Sequence, residues 1–259
     1  MKKLGVLALL VFPALMFAQN AFDGTWKTDM SKSKLSQKPY TFTVDKGTYK
    51  CESCAPPIEV KADGQDQAVS GQVFDTISVK AMDQNTIRVV TKKGGKTASD
   101  ATRSASDGGN TLTVSNTNYP PDGSKPVKAE SKWARVSKGP AGSNNTSGSW
   151  RIQNVSEDAA GLTATWKVTG DEVTMSTPDG MNWTAKQGGG DAPVKGIYAN
   201  ETVSVKTMGT REMEVTYKRD GKLYVVDKMT VSPDGKTIST VSENKWTKRT
   251  STMIDEKQQ

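Results

Sequence analysis

Apolar and polar residues alternate with period two along much of this chain. Ile77 and Val79 share one face of residues 76–81, as do Ile87 and Val89 in 86–91. Val203 and Val205 repeat the pattern in 202–207, and Met213, Val215 and Tyr217 in 212–218. Alternation of this kind, rich in Val and Thr, marks half-buried antiparallel strands. Between the runs stand Asp63-Gly64, Gly94-Gly95, Gly108-Gly109, Asp179-Gly180, Asp220-Gly221 and Asp234-Gly235. Such pairs supply the positive φ that tight hairpins demand. No apolar stripe of helical spacing follows residue 20, so the pattern predicts an all-β protein.

The pattern also occurs twice. Asp75-Thr76-Ile77-Ser78-Val79-Lys80 returns as Glu201-Thr202-Val203-Ser204-Val205-Lys206, 126 positions later. Lys92-Lys93-Gly94-Gly95-Lys96 returns at the same offset as Lys218-Arg219-Asp220-Gly221-Lys222, and Gly24-Thr25-Trp26 returns as Gly148-Ser149-Trp150. Trp133 is matched with Trp246. Each copy must be a unit that folds in much the same way, with about eight short strands at sandwich or barrel spacing. The expected organisation is an export signal over 1–18, a β-barrel domain over 19–137 and a linker over 138–147. A second β-barrel domain over 148–254 and a polar tail over 255–259 complete it. The linker is assigned from composition, Lys138-Gly-Pro-Ala-Gly-Ser-Asn-Asn-Thr-Ser147, which has no apolar period.

The assignment of 1–18 rests on Lys2 and Lys3, the apolar run from Leu4 to Phe17, and Ala18 as a small residue for cleavage. That run is too short to span a bilayer and no later stretch is long enough, so no transmembrane segment is expected. The reading makes the mature chain exported, periplasmic or extracellular. The chain carries +7, and its lysines are spread over strands and turns, as on a solvated face. Apolar content is 34 %. Counting the 23 glycines as well leaves it slightly below the globular norm of ~45–50 %, enough to fill two small cores.

There is no histidine. A Ser-His-Asp or Cys-His nucleophile is therefore excluded, as is a zinc or iron site that needs imidazole. Carboxylate, lysine or tyrosine chemistry stays open, but no catalytic residue, metal or cofactor is assigned. Asp171-Glu172 and Glu157-Asp158 are adjacent on their strands, so each pair points to opposite faces and makes no dyad. Gly188-Gly189-Gly190 has no following helix with which to cradle a phosphate.

A Gly-x-Trp at the start of a first strand resembles the opening of a lipocalin barrel, and Trp26 and Trp150 stand at that position. Trp133 with Arg135, and Trp246 with Lys248 and Arg249, would place an aromatic–cation contact near each copy's last strand. These tryptophans are read either as paired core residues or as a ligand floor. More widely, the chain after the signal resembles exported bacterial proteins, themselves uncharacterised, with a duplicated lipocalin-like β domain. The likeness is carried by Gly24-Thr25-Trp26-Lys27, Cys51-Glu52-Ser53-Cys54-Ala55-Pro56-Pro57, Lys138-Gly139-Pro140-Ala141-Gly142 and the two Ser-Val-Lys strands. It implies the fold and no activity.

The copies differ in three places. Cys51 and Cys54, the two cysteines of the chain, have no counterparts in the second half. In an oxidising compartment the pair reads as a disulfide clip; a redox-active dithiol and a metal site are the alternatives, although no helix follows to lower a thiol pKa. Residues 97–105 hold almost nothing to bury, whereas 223–231 is strongly apolar. The first is therefore an exposed edge strand, or its inner face meets something polar. Residues 116–127 read as an insertion of 13 residues around Asn118-Tyr-Pro-Pro-Asp-Gly123, with Tyr119 placed to overhang a barrel mouth.

The function expected is that of an exported, non-enzymatic barrel protein that binds a small ligand or envelope component. Its candidate ligand residues are Trp26, Trp150, Tyr119, Trp133 and Trp246. An envelope-interaction module is the alternative, acting through strand edges or the basic tips at Lys92, Lys93, Lys96 and Lys218, Arg219, Lys222 on an anionic surface; a thiol–disulfide protein is the third. Nucleic acid is not expected, because aromatics do not interleave with the bases of those tips. Any private activity is expected in the first domain.

Overall fold

The computed structural model describes residues 20–196 and 200–258; the segment 1–18, read as an export signal, lies outside them. Among the described residues no helix is long and apolar enough to cross a membrane. The alternating runs form two ten-stranded antiparallel sheets, each rolled into a nearly closed barrel.

The chain opens with β1 (Gly24–Thr28). It then runs up and down through β2 (Tyr40–Asp45), β3 (Thr48–Cys51), β4 (Ile58–Lys61), β5 (Gln67–Ala68) and β6 (Thr76–Ala81). The meander continues through β7 (Thr86–Lys93), β8 (Lys96–Ala105), β9 (Thr111–Asn118), β10 (Val127–Lys138) and β11 (Gly148–Glu157). The second half supplies β12 (Thr163–Thr169), β13 (Glu172–Ser176), β14 (Asn182–Lys186), β15 (Ala192–Pro193) and β16 (Glu201–Thr207). It ends with β17 (Glu212–Arg219), β18 (Lys222–Val231), β19 (Thr237–Asn244) and β20 (Arg249–Lys257).

The strand order corrects the expected domain boundaries. The first barrel runs β4-β3-β2-β11-β10-β9-β8-β7-β6-β5, and the second β14-β13-β12-β1-β20-β19-β18-β17-β16-β15. Each copy's opening strand therefore sits in the other copy's barrel. β1 pairs with β12 and β20, closing the second barrel, and β11 pairs with β2 and β10, closing the first. The spatial units are residues 40–157, and 163–257 together with β1. Residues 138–147 thus join two strands of one barrel and are no linker. They form a hydrogen-bonded plug: Ser147 Oγ accepts from the Val44 N–H (2.8 Å), and Asn144 Nδ2 donates to Asp83 O (2.7 Å). The segments that cross between barrels are 29–39 and 158–162. Residues 255–257, expected in a polar tail, are strand, held between β19 and β1.

The exchange explains the Gly-x-Trp motif. Trp26 and Trp150 are 1 % and 0 % exposed. Each donates its indole N–H to the carbonyl four residues back, Phe22 O (2.8 Å) and Thr146 O (2.9 Å). A cation from the neighbouring last strand covers each ring, Lys257 at 5.1 Å and Arg135 at 3.9 Å from the centroid. The glycine makes room for that cation. Gly24 and Gly148 have φ of 131° and 132°, and a Cβ at Gly148 would stand 2.2 Å from Ser137 O and 2.9 Å from Arg135 Nη1.

Equivalent last strands lie 122 positions apart, as Arg135 and Lys257 show. Trp133 is therefore matched in space by Asp255, not by Trp246, which lies in the turn between β19 and β20. The β9–β10 loop covers 119–126 and its counterpart 245–248, so the insertion is of four residues and not thirteen. Nor is residues 97–105 an edge: β8 pairs along its length with β7 and β9. Its inner face is polar because polar partners meet it. Ser99 bonds Thr91 (2.7 Å), and Arg103 Nη1 donates to Tyr49 Oη (3.1 Å) while its guanidinium lies 4.6 Å from the Phe42 ring centroid.

Both interiors are filled by their own side chains. Phe42, Tyr49, Ile77, Val79, Ile87, Leu112 and Trp150 pack the first barrel; Phe22, Trp26, Trp166, Trp183, Val203, Val215 and Met213 pack the second. The seams between first and last strands are bridged. The Gln67 side chain imitates a peptide, accepting from Lys61 N–H (2.8 Å) and donating to Lys61 O (2.7 Å). In the second barrel Lys195 N–H donates to Asn182 O (2.9 Å) and Gly188 N–H to Val205 O (2.8 Å). Bridged seams remove the sheet edges that would otherwise invite pairing with another chain.

Candidate functional site

The open space of interest lies between the barrels, at the end of the second where β18 begins, β19 ends and β20 begins. The inward faces of these strands are apolar deeper in, at Met229, Val231 and Ile238, and past Val225 turn polar at this end, at Ser242, Asn244, Arg249 and Ser251. A cavity of ≈ 400 Å³ opens there, roofed by Leu35, Ser36 and Tyr40 and by Ser53, Cys54 and Ala55 of the first barrel. A second cavity of ≈ 520 Å³ shares Ser53, Cys54, Ala55, Thr247 and Arg249 as a wall and extends over Pro56, Pro57, Lys222 and Trp246.

Three local arrangements hold this cleft. The first is the segment 29–39, which crosses from β1 to β2 against β20. Lys34 exchanges backbone hydrogen bonds with Thr252 (2.7 and 2.8 Å), and Lys38 Nζ donates to Thr247 O (2.6 Å). The second is the β3–β4 loop. Cys51 and Cys54 are joined in a disulfide, so the clip reading holds. Ser53 Oγ accepts from Thr41 N–H (2.7 Å), and Gln72 Nε2 reaches Pro56 O (2.6 Å). Asn200 of the second barrel donates in turn to Gln72 O (3.2 Å), tying loop to neighbour.

The third is a pair of stacked arginines. Arg219 is the last residue of an inward face that runs Met213, Val215, Tyr217, and it meets Glu201, the first of the face that continues to Val203 and Val205. Glu201 Oε1 accepts from Arg219 Nη2 (2.6 Å) and Nε (3.0 Å), with both side chains buried. Burial pushes the Glu201 carboxyl up from its ordinary value, and the Arg219 contact partly restrains the rise. The guanidinium stacks on Tyr224 (3.8 Å to the centroid) and faces Trp246 (5.5 Å). Arg249 stacks on Tyr40 (3.9 Å), which packs on Trp133 at 5.1 Å between centroids. Stacking orients a guanidinium without using its N–H groups.

Of the five aromatic residues proposed from sequence, Trp246 alone lines the cleft. Trp133 supports it from behind through Tyr40, with its indole N–H on Ser131 Oγ (2.7 Å). Trp26 and Trp150 are core residues bonded to backbone. Tyr119 is 37 % exposed and lines neither cavity. Tyr40, Glu201 and Tyr224 were missed, while Arg219 was read as an exposed basic tip and Arg249 as an aromatic–cation partner near Trp246, whose ring it finds instead in Tyr40. The signal for the ion pair was present: Glu201 and Arg219 continue apolar faces in phase, as an inward pair does.

The basic tips are partly neutralised. Lys92 pairs with Asp66 and Lys218 with Asp191, while Arg219 is buried on Glu201. Among the described residues no three of His, Cys, Asp and Glu cluster as metal ligands would. No protein-family model, no curated protein and no solved structure matches this chain.

Proposed function

We propose that this is an exported, non-enzymatic protein that holds a small molecule in the cleft between its barrels, at the mouth of the second. The observation that carries the reading is that polar and aromatic side chains from both halves converge on two adjoining cavities, while both barrel interiors are packed. Concave sites with a few placed polar groups on an apolar wall are what small ligands use. Of the three expectations drawn from sequence, ligand binding is the one the cleft supports, displaced from the barrel interior to the junction.

Native mass spectrometry of the protein purified from its own source tests the reading. A small molecule is expected to co-purify with the wild type and to be lost from Trp246→Ala. A bare wild-type mass that also fails to shift with any cell extract would overturn it.

A further inference from the structure

The geometry points to a carboxylate, carried on a compact apolar body, as the ligand, with Arg249 as its counter-charge; this rests on the cleft being a ligand site. Arg249 is 8 % exposed and lines both cavities. Of its three nitrogens only Nη2 is engaged, donating to Pro39 O at 2.7 Å. Nε is enclosed with no acceptor, and no carboxylate forms an ion pair with the side chain among the described residues. Thr247 Oγ1, in the same wall, is also enclosed and unpartnered.

A buried guanidinium left unpaired is costly. The neighbouring Arg219 has its counter-charge in Glu201, and Arg135, which has no carboxylate, has all three nitrogens on backbone carbonyls. Arg249 receives a stacking ring and one carbonyl, and its charge is left over. The smaller cavity has Arg219 and Arg249 on its lining and no carboxylate. In the larger one Lys38 and Lys222 are balanced by Glu52 and Asp220, again leaving Arg249 in excess.

One unmatched cation calls for one negative charge. A carboxylate fits that number and the planar fork of arginine. A phosphate monoester, near −2 at neutral pH, would leave charge uncompensated in a half-enclosed site. The body of the ligand follows from the other lining residues: Cys54, Ala55, Pro56, Pro57 and Trp246 make the apolar side of the larger cavity. A head on Arg249 places the body against them.

The test is calorimetric titration of the whole protein with 2-naphthoate, its neutral isostere 2-naphthamide, and inorganic phosphate, with the Trp246 indole N–H followed by NMR. Naphthoate is expected to bind and shift that resonance, with the amide at least tenfold weaker. Arg249→Gln is expected to reduce naphthoate to the level of the amide without changing the amide. Equal binding of acid and amide, with the Trp246 shift, would overturn the carboxylate and leave the cleft reading standing; so would phosphate binding tighter than naphthoate. No Trp246 shift with any probe would overturn both. If Arg249→Gln lowers the melting temperature too far for use, the acid–amide comparison on the wild type decides alone, with Thr247→Val expected to weaken the acid more than the amide.

Discussion

Asp227 provides a direct thermodynamic test of the packing beneath the cleft. It stands on β18 across from Val215 and Ser242, one inward position deeper than the Val225 that lines the smaller cavity. The equivalent residue of the first barrel is Ala101. Its Oδ1 is shut off from solvent without a partner. Burial raises its pKa from 3.8 to about 6, with Ser242 lowering it and the Asp255 charge adding to the rise. The folded value lies above the unfolded one, so the native state holds the proton more tightly. The contribution to stability is complete below about pH 4 and is lost as pH rises through 6. Each unit of pKa corresponds to about 1.4 kcal/mol, so the ionised carboxylate costs the fold about 2–3 kcal/mol at pH 8, the lower figure allowing for the partial exposure of the residue. Asp227→Asn removes the charge and keeps the shape. Urea unfolding followed by tryptophan fluorescence should show the variant within about 1 kcal/mol of wild type at pH 4. At pH 8 it should be about 2 kcal/mol more stable relative to its own pH 4 difference. Other raised carboxyls, Asp255, Glu157 and Glu201, largely cancel in the variant-minus-wild-type comparison. A difference that stays flat from pH 4 to pH 8 would refute the reasoning.

The strand exchange predicts that damage in the first 30 residues is felt in the second barrel. Trp26→Ala should cost about 3–5 kcal/mol and lower hydrogen-exchange protection in β12 and β20 while β8 and β9 keep theirs; loss in β8 and β9 instead would contradict the topology. Gly148→Ala should destabilise the first barrel by about 2–4 kcal/mol, from positive-φ strain and overlap with Ser137 O, read as a fall in thermal midpoint; a neutral result would remove the account of the Gly-x-Trp motif. Glu201→Gln strands a buried guanidinium and should cost about 3–5 kcal/mol, a loss that urea titration would measure and that Arg219→Met in the same chain should partly restore. Reducing Cys51–Cys54 with a dithiol opens a short loop and should cost about 2 kcal/mol in the chain-entropy model, seen in the first barrel by hydrogen exchange.

The period-two faces of 76–81, 86–91, 202–207 and 212–218 were legible because a strand with one buried face must show that face in its sequence. The partner of a strand is not written the same way. Gly24-Thr25-Trp26 and Gly148-Ser149-Trp150 are equivalent in pattern, so either strand completes either barrel, and the face rule is satisfied both ways. The connections decide: eleven residues carry the chain from β1 to β2, long enough to cross, while 138–147 turns back within one barrel. Composition misled there, because Ser147, Asn144 and Asn145 look like linker residues and are in fact the partners of Val44, Asp83 and Asn85. For 97–105 the sequence left two readings, an exposed edge or an inner face that meets something polar, and the second holds: Ser99 and Arg103 meet Thr91 and Tyr49.

The two copies differ most at the residues that build the cleft. In structural register Glu201, Arg219, Tyr224 and Arg249 correspond to Asp75, Lys93, Ala98 and Val127 of the first barrel. Asp75 there accepts a turn N–H from Gly94, and Val127 is a plain core residue. Where the first copy has an apolar core residue the second has Arg249, and where the first has Ala98 the second has Tyr224, the ring on which Arg219 stacks. Yet the second copy does not make the cleft alone, since Tyr40, Ser53 and Cys54 come from the first. The first crossing of the exchange bears on this: 29–39 runs past Arg249 on its way from β1 to β2, and Pro39 and Tyr40 are what it delivers. The expectation of a first-domain site therefore divides. The clip near Cys54 supplies a wall, the second barrel supplies the charge, and the strand that left its own copy brings the two together.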